Sequence, residues 1–203
     1  MTYKRLLYAA LFAASFTFIP VAQAGEFRLG VFNHDVKIPG IGGAGGKETG
    51  TAIELDLRFD SPGILEAIWS PKPYVYVSGN LDGNTSHAGV GVAWQKSFPD
   101  RFYGEFAFGV SGHNGEERVP NPADVTGDGP EAAAEINRRF TRKRNTIEFG
   151  SRALFRTQIA IGYDVTDSVA TEIVYEHLSN GRIIGGPENE GLDNVGLRLA
   201  YKY

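Results

Sequence analysis

The chain has no cysteine, which excludes a disulfide framework, thiol catalysis and a thiolate metal site. It has no basic excess either. Lys and Arg number 20 against 24 Asp and Glu, a net charge of −4, and this acidic balance argues against nucleic acid as a partner. Its mean hydropathy is −0.21, and past the N-terminus no apolar run approaches the roughly 20 residues of a helical membrane span. A polytopic helical membrane protein is therefore excluded. Gly-x-Ser-x-Gly, the P-loop and His-Glu-x-x-His are also missing, so the usual local signatures of hydrolases and nucleotide enzymes do not apply. No cofactor and no metal is expected.

What is present begins with an export signal. Lys4 and Arg5 precede the uncharged, Ala-rich run Leu6–Phe18, and Pro20 leads into Ala22-Gln23-Ala24, a small-x-small cleavage site. Residues 1–24 are thus expected to be removed, leaving 25–203 as a single domain. From there the sequence alternates. Phe27, Leu29 and Val31 are interleaved with Arg28, Gly30 and Phe32; Ile53 to Phe59 with Glu54, Asp56 and Arg58. The same period recurs in Ala88–Gln95, Phe102–Val110, Phe155–Tyr163, Val169–Tyr175 and Asn194–Tyr203, with a less regular segment at Tyr74–Leu81. Period two sustained over eight segments means strands with one apolar and one polar face.

A soluble sandwich and a transmembrane barrel share that pattern, and the connections separate them. Short turns (98–101, 164–168) and a medium one (60–72) alternate with long polar stretches (34–50, 113–144) and shorter ones (82–86, 181–192), as periplasmic turns and outer loops do in outer-membrane barrels. Phe59, Trp69, Tyr74, Phe98, Phe102, Tyr163, Tyr201 and Tyr203 gather beside the short turns, the arrangement of an interfacial girdle. The polar face carries Glu54, Asp56, Glu105, Glu172 and Glu176 with Arg28, Arg58, Arg156, Arg198 and Lys202. Such charges suit a narrow, side-chain-filled lumen and not a sandwich core. The expected fold is all-β, an eight-stranded antiparallel transmembrane barrel of the outer-membrane type. Two regions are less defined. Loop 113–144 contains Pro130-Glu-Ala-Ala-Ala-Glu, which could form one short helix, and the glycine-rich segment at Ile41–Gly46 reads as a flexible loop.

His34, His87 and His113 lie near strand ends and read as solvated loop residues. His177-Leu-Ser179-Asn180-Gly181 is different. His177 and Ser179 continue the odd, apolar parity of their strand, and Asp193 continues the odd parity of the last one, so all three face outward. Placing Asp167 opposite Tyr203 puts His177 opposite Asp193, with Cβ atoms roughly 5 Å apart. The ten steps from Tyr203 to Asp193 rise on the order of 25 Å, which sets the three at the outer rim of the apolar band.

His177-Leu-Ser179-Asn180-Gly181, followed by Asn189-Glu-Gly191-Leu-Asp193 and an alternating terminal strand ending in Tyr203, resembles the lipid A 3-O-deacylase family of PagL-like outer-membrane enzymes. The specific motif spans about the last 30 residues. The resemblance implies a serine esterase that removes the ester-linked acyl chain at position 3 of lipid A, with lipopolysaccharide in the outer membrane as its partner. By position, Ser179 would be the nucleophile, His177 the general base and Asp193 the acid that orients it. Asp stands where the best-known family form has Glu, so Glu190 is kept as a weaker substitute. Asn180, Asn189 and the backbone near Gly181 are oxyanion candidates or turn-formers. The alternative is a non-enzymatic barrel, adhesin-like or structural, acting through its outer loops.

Overall fold

The computed structural model describes residues 24–38 and 43–203. The export signal expected over 1–24 therefore falls almost entirely outside the described residues, as do Ile41 and Gly42 of the glycine-rich segment. Eight strands follow in order: β1 (Ala24–His34), β2 (Gly50–Phe59), β3 (Lys72–Asn80), β4 (His87–Ser97), β5 (Phe102–His113), β6 (Ala153–Asp164), β7 (Val169–Ser179) and β8 (Leu192–Lys202). Each pairs antiparallel with its sequence neighbours, and β8 returns to β1, so the sheet is a closed barrel. Closure leaves no unpaired edge, which hydrocarbon would not tolerate. The strands run from 9 to 12 residues, the length a tilted membrane-spanning strand needs.

Residue parity sorts the two faces as the alternation predicts. Ile161, Ile173 and Leu197 point outward and are 64%, 63% and 68% exposed. A water-soluble sandwich would bury these positions, so the exposed apolar wall identifies the face that meets lipid. The opposite parity builds the interior. Arg28, Arg58, Arg156 and Arg198 are all buried there among Glu26, Glu54, Asp56, Glu105, Glu172 and Glu176.

Those interior charges are shared, not simply paired. Arg28 reaches Glu105 at 2.8 Å and Glu172 at 2.9 Å; Arg58 reaches Asp56 at 2.9 Å and Glu105 at 3.0 Å. Arg156 bonds Glu54 at 2.7 Å and also Glu176. Arg198 joins Glu172 and, at 3.1 Å, Glu105. Arg156 also lies 3.5 Å from the ring centre of Tyr76, a cation–π contact. One aromatic expected in the girdle belongs here instead. Tyr74 has even parity, is buried and sits under the Arg58 guanidinium, 4.7 Å from its ring centre.

The histidines are also displaced from expectation. His34 and His87 occupy inward positions and are buried, while His113 is half-buried. His87 Nδ1 is 3.0 Å from the Tyr76 hydroxyl, and His113 Nε2 is 2.6 Å from the Ser151 carbonyl. His34 and His87 point into the filled lumen, and His113 lies against Phe149, 4.4 Å between ring centres. Buried Glu48 accepts from the backbone N–H of Thr85 and of Ile147, both at 3.0 Å. Above the lumen, Ile147, Phe149, Leu154, Leu178 and Leu192 form a fully buried apolar cluster, with Ala44 against it. The long loop is ordered and holds helix α1 (Gly129–Arg144), 16 residues and far longer than the short helix expected. At the other end, the β2–β3 connection folds into a 3-10 turn, Gly63–Ile68, tied to the outer wall where Trp94 Nε1–H donates to the Ile68 carbonyl at 2.7 Å. Among the described residues no helix is long and apolar enough to cross a membrane.

Candidate active site

The site sits where β7 and β8 reach the outer rim. The register pairs Val169 with Tyr201 and continues through Tyr175 opposite Val195 to His177 opposite Asp193. This is the register expected from the sequence. Because the two residues face each other directly, a short acid side chain suffices. His177 Nδ1 and Asp193 Oδ1 are 2.6 Å apart. Ser179 stands two residues beyond His177 on the same face and is paired with Phe155 of β6. Among the described residues no hydrogen bond joins Ser179 to His177. With Nδ1 directed at the carboxylate, Nε2 is the nitrogen that remains for an exchangeable proton.

The backing of this face is apolar and rigid. Leu178, between His177 and Ser179, points inward and pairs with Leu192; both belong to the buried roof cluster. Close packing of this kind fixes the backbone that carries the outward residues. The strand then ends in a turn built by Asn180, which is fully buried. Its Nδ2 donates to the Phe149 carbonyl at 2.9 Å and to the Glu188 carbonyl at 2.8 Å, and its Oδ1 accepts from Arg182 N–H at 2.7 Å. The Asn180 backbone N–H donates to Asn189 Oδ1 at 2.9 Å. Asn180 is therefore a turn-former with no side-chain donor to spare. Asn189 keeps its Nδ2, and Gly181 adopts φ +63°, a left-handed turn suited to a residue without Cβ.

Two neighbours of Asp193 were not singled out from the sequence. Tyr175 O–H donates to Asp193 Oδ1 at 2.7 Å. Its odd parity was visible, but in an alternating strand a tyrosine reads as wall. Gly43, from the glycine-rich segment, presses on the other oxygen: a Cβ built at this residue would lie 1.8 Å from Asp193 Oδ2. The β1–β2 loop reaches this far because Val36 N–H donates to the Asp193 carbonyl at 2.8 Å and Ala44 N–H to the Gly191 carbonyl at 3.1 Å. Asp193 is consequently only 1% exposed although its parity is that of the lipid-facing wall. Glu190 is engaged elsewhere, with Lys47 at 2.5 Å. Among the described residues no cluster of His, Asp or Glu is arranged to hold a metal ion.

A family model described as Lipid A 3-O-deacylase (PagL) matches residues 69–202. No curated protein matches. The crystal structure of the outer membrane enzyme PagL superposes with a TM-score of 0.55 at 13% identity, covering 88% of this chain and 99% of that one. Neisserial surface protein A superposes with a TM-score of 0.50 at 8% identity, covering 88% and 96%. At these identities the two structures speak for the fold alone.

Proposed function

The chain belongs to the lipid A 3-O-deacylase (PagL) family, and from that premise we propose that it is an outer-membrane serine esterase hydrolysing the acyl ester at position 3 of lipid A. The observation that carries this reading is the 2.6 Å contact between His177 Nδ1 and Asp193 Oδ1 on the outer face of paired strands, with Ser179 two residues along the same face. Ser179 Oγ attacks the ester carbonyl carbon while His177 Nε2 takes the hydroxyl proton. Asp193 holds the imidazole by Nδ1–H and stabilises its charged form. The sugar oxygen departs with the proton from Nε2–H, leaving the acyl group on Ser179. Water then attacks that ester, again losing a proton to Nε2, and releases the fatty acid.

The oxyanion needs donors aimed at it. Asn189 Nδ2 and the Gly181 N–H supply them in this reading, because the Asn180 amide is consumed by the turn. The wall around Ser179 is contiguous with the apolar band, so the substrate arrives sideways from the outer leaflet.

Mass spectrometry of lipid A from cells expressing the protein tests the proposal. The wild type removes one hydroxyacyl chain, and Ser179→Ala leaves lipid A intact while the barrel still shows its folded gel mobility. Unchanged lipid A with the folded wild type and an accepted substrate overturns the esterase reading in favour of a barrel acting through its loops. Acyl mass gained instead of lost indicates transfer, not hydrolysis.

A further inference from the structure

Asp193 is an anomaly on the outer wall. Its parity directs it toward lipid, it is a carboxylate, and it is 1% exposed. A carboxylate buried without partners is strongly disfavoured, so whatever surrounds it must supply hydrogen bonds and exclude lipid together. Three groups surround it. From β7, His177 Nδ1 and the Tyr175 hydroxyl both converge on the same oxygen, Oδ1, at 2.6 and 2.7 Å. From the β1–β2 loop, Gly43 closes over Oδ2 with no room for a methyl group. Neither Gly43 nor Gly191, which lies beside the His177 ring, brings a charge.

The reach of Tyr175 follows from the sheet. Directly opposite it is Val195, and Asp193 is its diagonal neighbour on the same face. Diagonal partners lie roughly 7–8 Å apart, within reach of an aromatic side chain but not of a short one. The phenol therefore spans a gap that the carboxylate cannot cross alone.

We propose that Tyr175 and Gly43 form a socket that positions Asp193, and through it His177, for the reaction; the proposal rests on the Ser179–His177–Asp193 reading. Tyr175 fixes which carboxylate oxygen serves the imidazole. Gly43 keeps the other oxygen out of lipid and prevents the carboxylate from rotating away. Tyr175 contacts neither the ester nor Ser179 in this scheme, so it is a positioning residue.

The role separates from simple wall packing by where the loss appears. Steady-state deacylation of purified lipid A in detergent micelles is measured for the wild type, Tyr175→Phe, Gly43→Ala, Asp193→Asn and Ser179→Ala, each first shown to be folded by gel mobility. Tyr175→Phe keeps the ring and loses only the hydroxyl. It is expected to lower kcat about tenfold, the scale of one hydrogen bond to a charged group, with KM unchanged. Gly43→Ala lies outside the strands, and it should lower kcat at least as much. Wild-type kcat in both variants, with Asp193→Asn and Ser179→Ala inactive, overturns the socket and leaves the triad standing. A raised KM with kcat preserved in both also overturns it, showing a substrate contact. Full activity in Asp193→Asn or Ser179→Ala brings down the triad reading itself and the socket with it.

Discussion

Asn180 spends its whole side chain on neighbouring backbone: two carbonyls take its N–H groups and one N–H takes its oxygen. It thereby pins the start of the loop after β7 to the segment before β6. Asn180→Asp is nearly isosteric but replaces the donating nitrogen with an acceptor, so two carbonyls at 2.9 and 2.8 Å would face an oxygen. A buried group left without its partner costs about 1–3 kcal/mol, more if charged. Limited proteolysis is expected to cut between residues 181 and 191 faster than in the wild type, while the strands stay protected. Equal cleavage rates would show that the turn is held by other contacts. At the same scale, the short arm of Asp193 needs no compensation in backbone position. It stands directly across from His177, and the cross-strand distance suits the shorter arm.

At the scale of elements, the 3-10 turn between β2 and β3 is the least protein-covered apolar feature near the short-turn end. Ile64 and Trp69 are each 86% exposed, and Trp94 of the lipid-facing wall holds the turn by its Ile68 carbonyl. Trp at this level is an interfacial anchor. In liposomes of brominated phospholipid, Trp69 emission is expected to be quenched. The difference between the wild type and Trp69→Phe isolates it, since the chain has two tryptophans. Unquenched Trp69 would mean that the turn points into water.

The strands, their alternation and the β7–β8 register were legible in the sequence because each rests on period two, a rule local to one strand or one pair. Tyr74 was misjudged because proximity to a short turn says nothing about face, and only the parity of its strand decides. His34, His87 and His113 were misjudged for a different reason. Their surroundings come from distant parts of the chain: His87 lies against Tyr76 and Glu176 in the lumen, and His113 against Phe149. The contribution of Gly43 was invisible on the same ground: no local pattern states which strand end a glycine-rich loop will cross.

For the whole molecule, the interior ion network is the counterpart of the apolar wall. Its members share partners, so removing one cation weakens the compensation of more than one carboxylate. Arg156→Ala would leave Glu176 with no guanidinium and Glu54 with only Arg198, at 3.7 Å, both carboxylates being about 1% exposed. Breaking a buried pair from one side typically costs about 3–5 kcal/mol, and urea unfolding in detergent should show a loss of that size. A loss below about 1 kcal/mol would mean that water enters and solvates the carboxylates. Since the network involves inward residues and the site outward ones, variants inside the lumen that still fold are expected to keep their deacylation rate per folded molecule.

On the proposed assignment, the outward aim of His177 and Ser179 also sets the kinetic order of the system. An enzyme whose reactive groups open onto the plane of a leaflet samples substrate by lateral diffusion in two dimensions. Its velocity follows the mole fraction of substrate in that plane, not its molarity in the tube. Diluting lipid A with inert lipid at constant total lipid A should therefore slow turnover, and adding more vesicles of the same composition should not restore it.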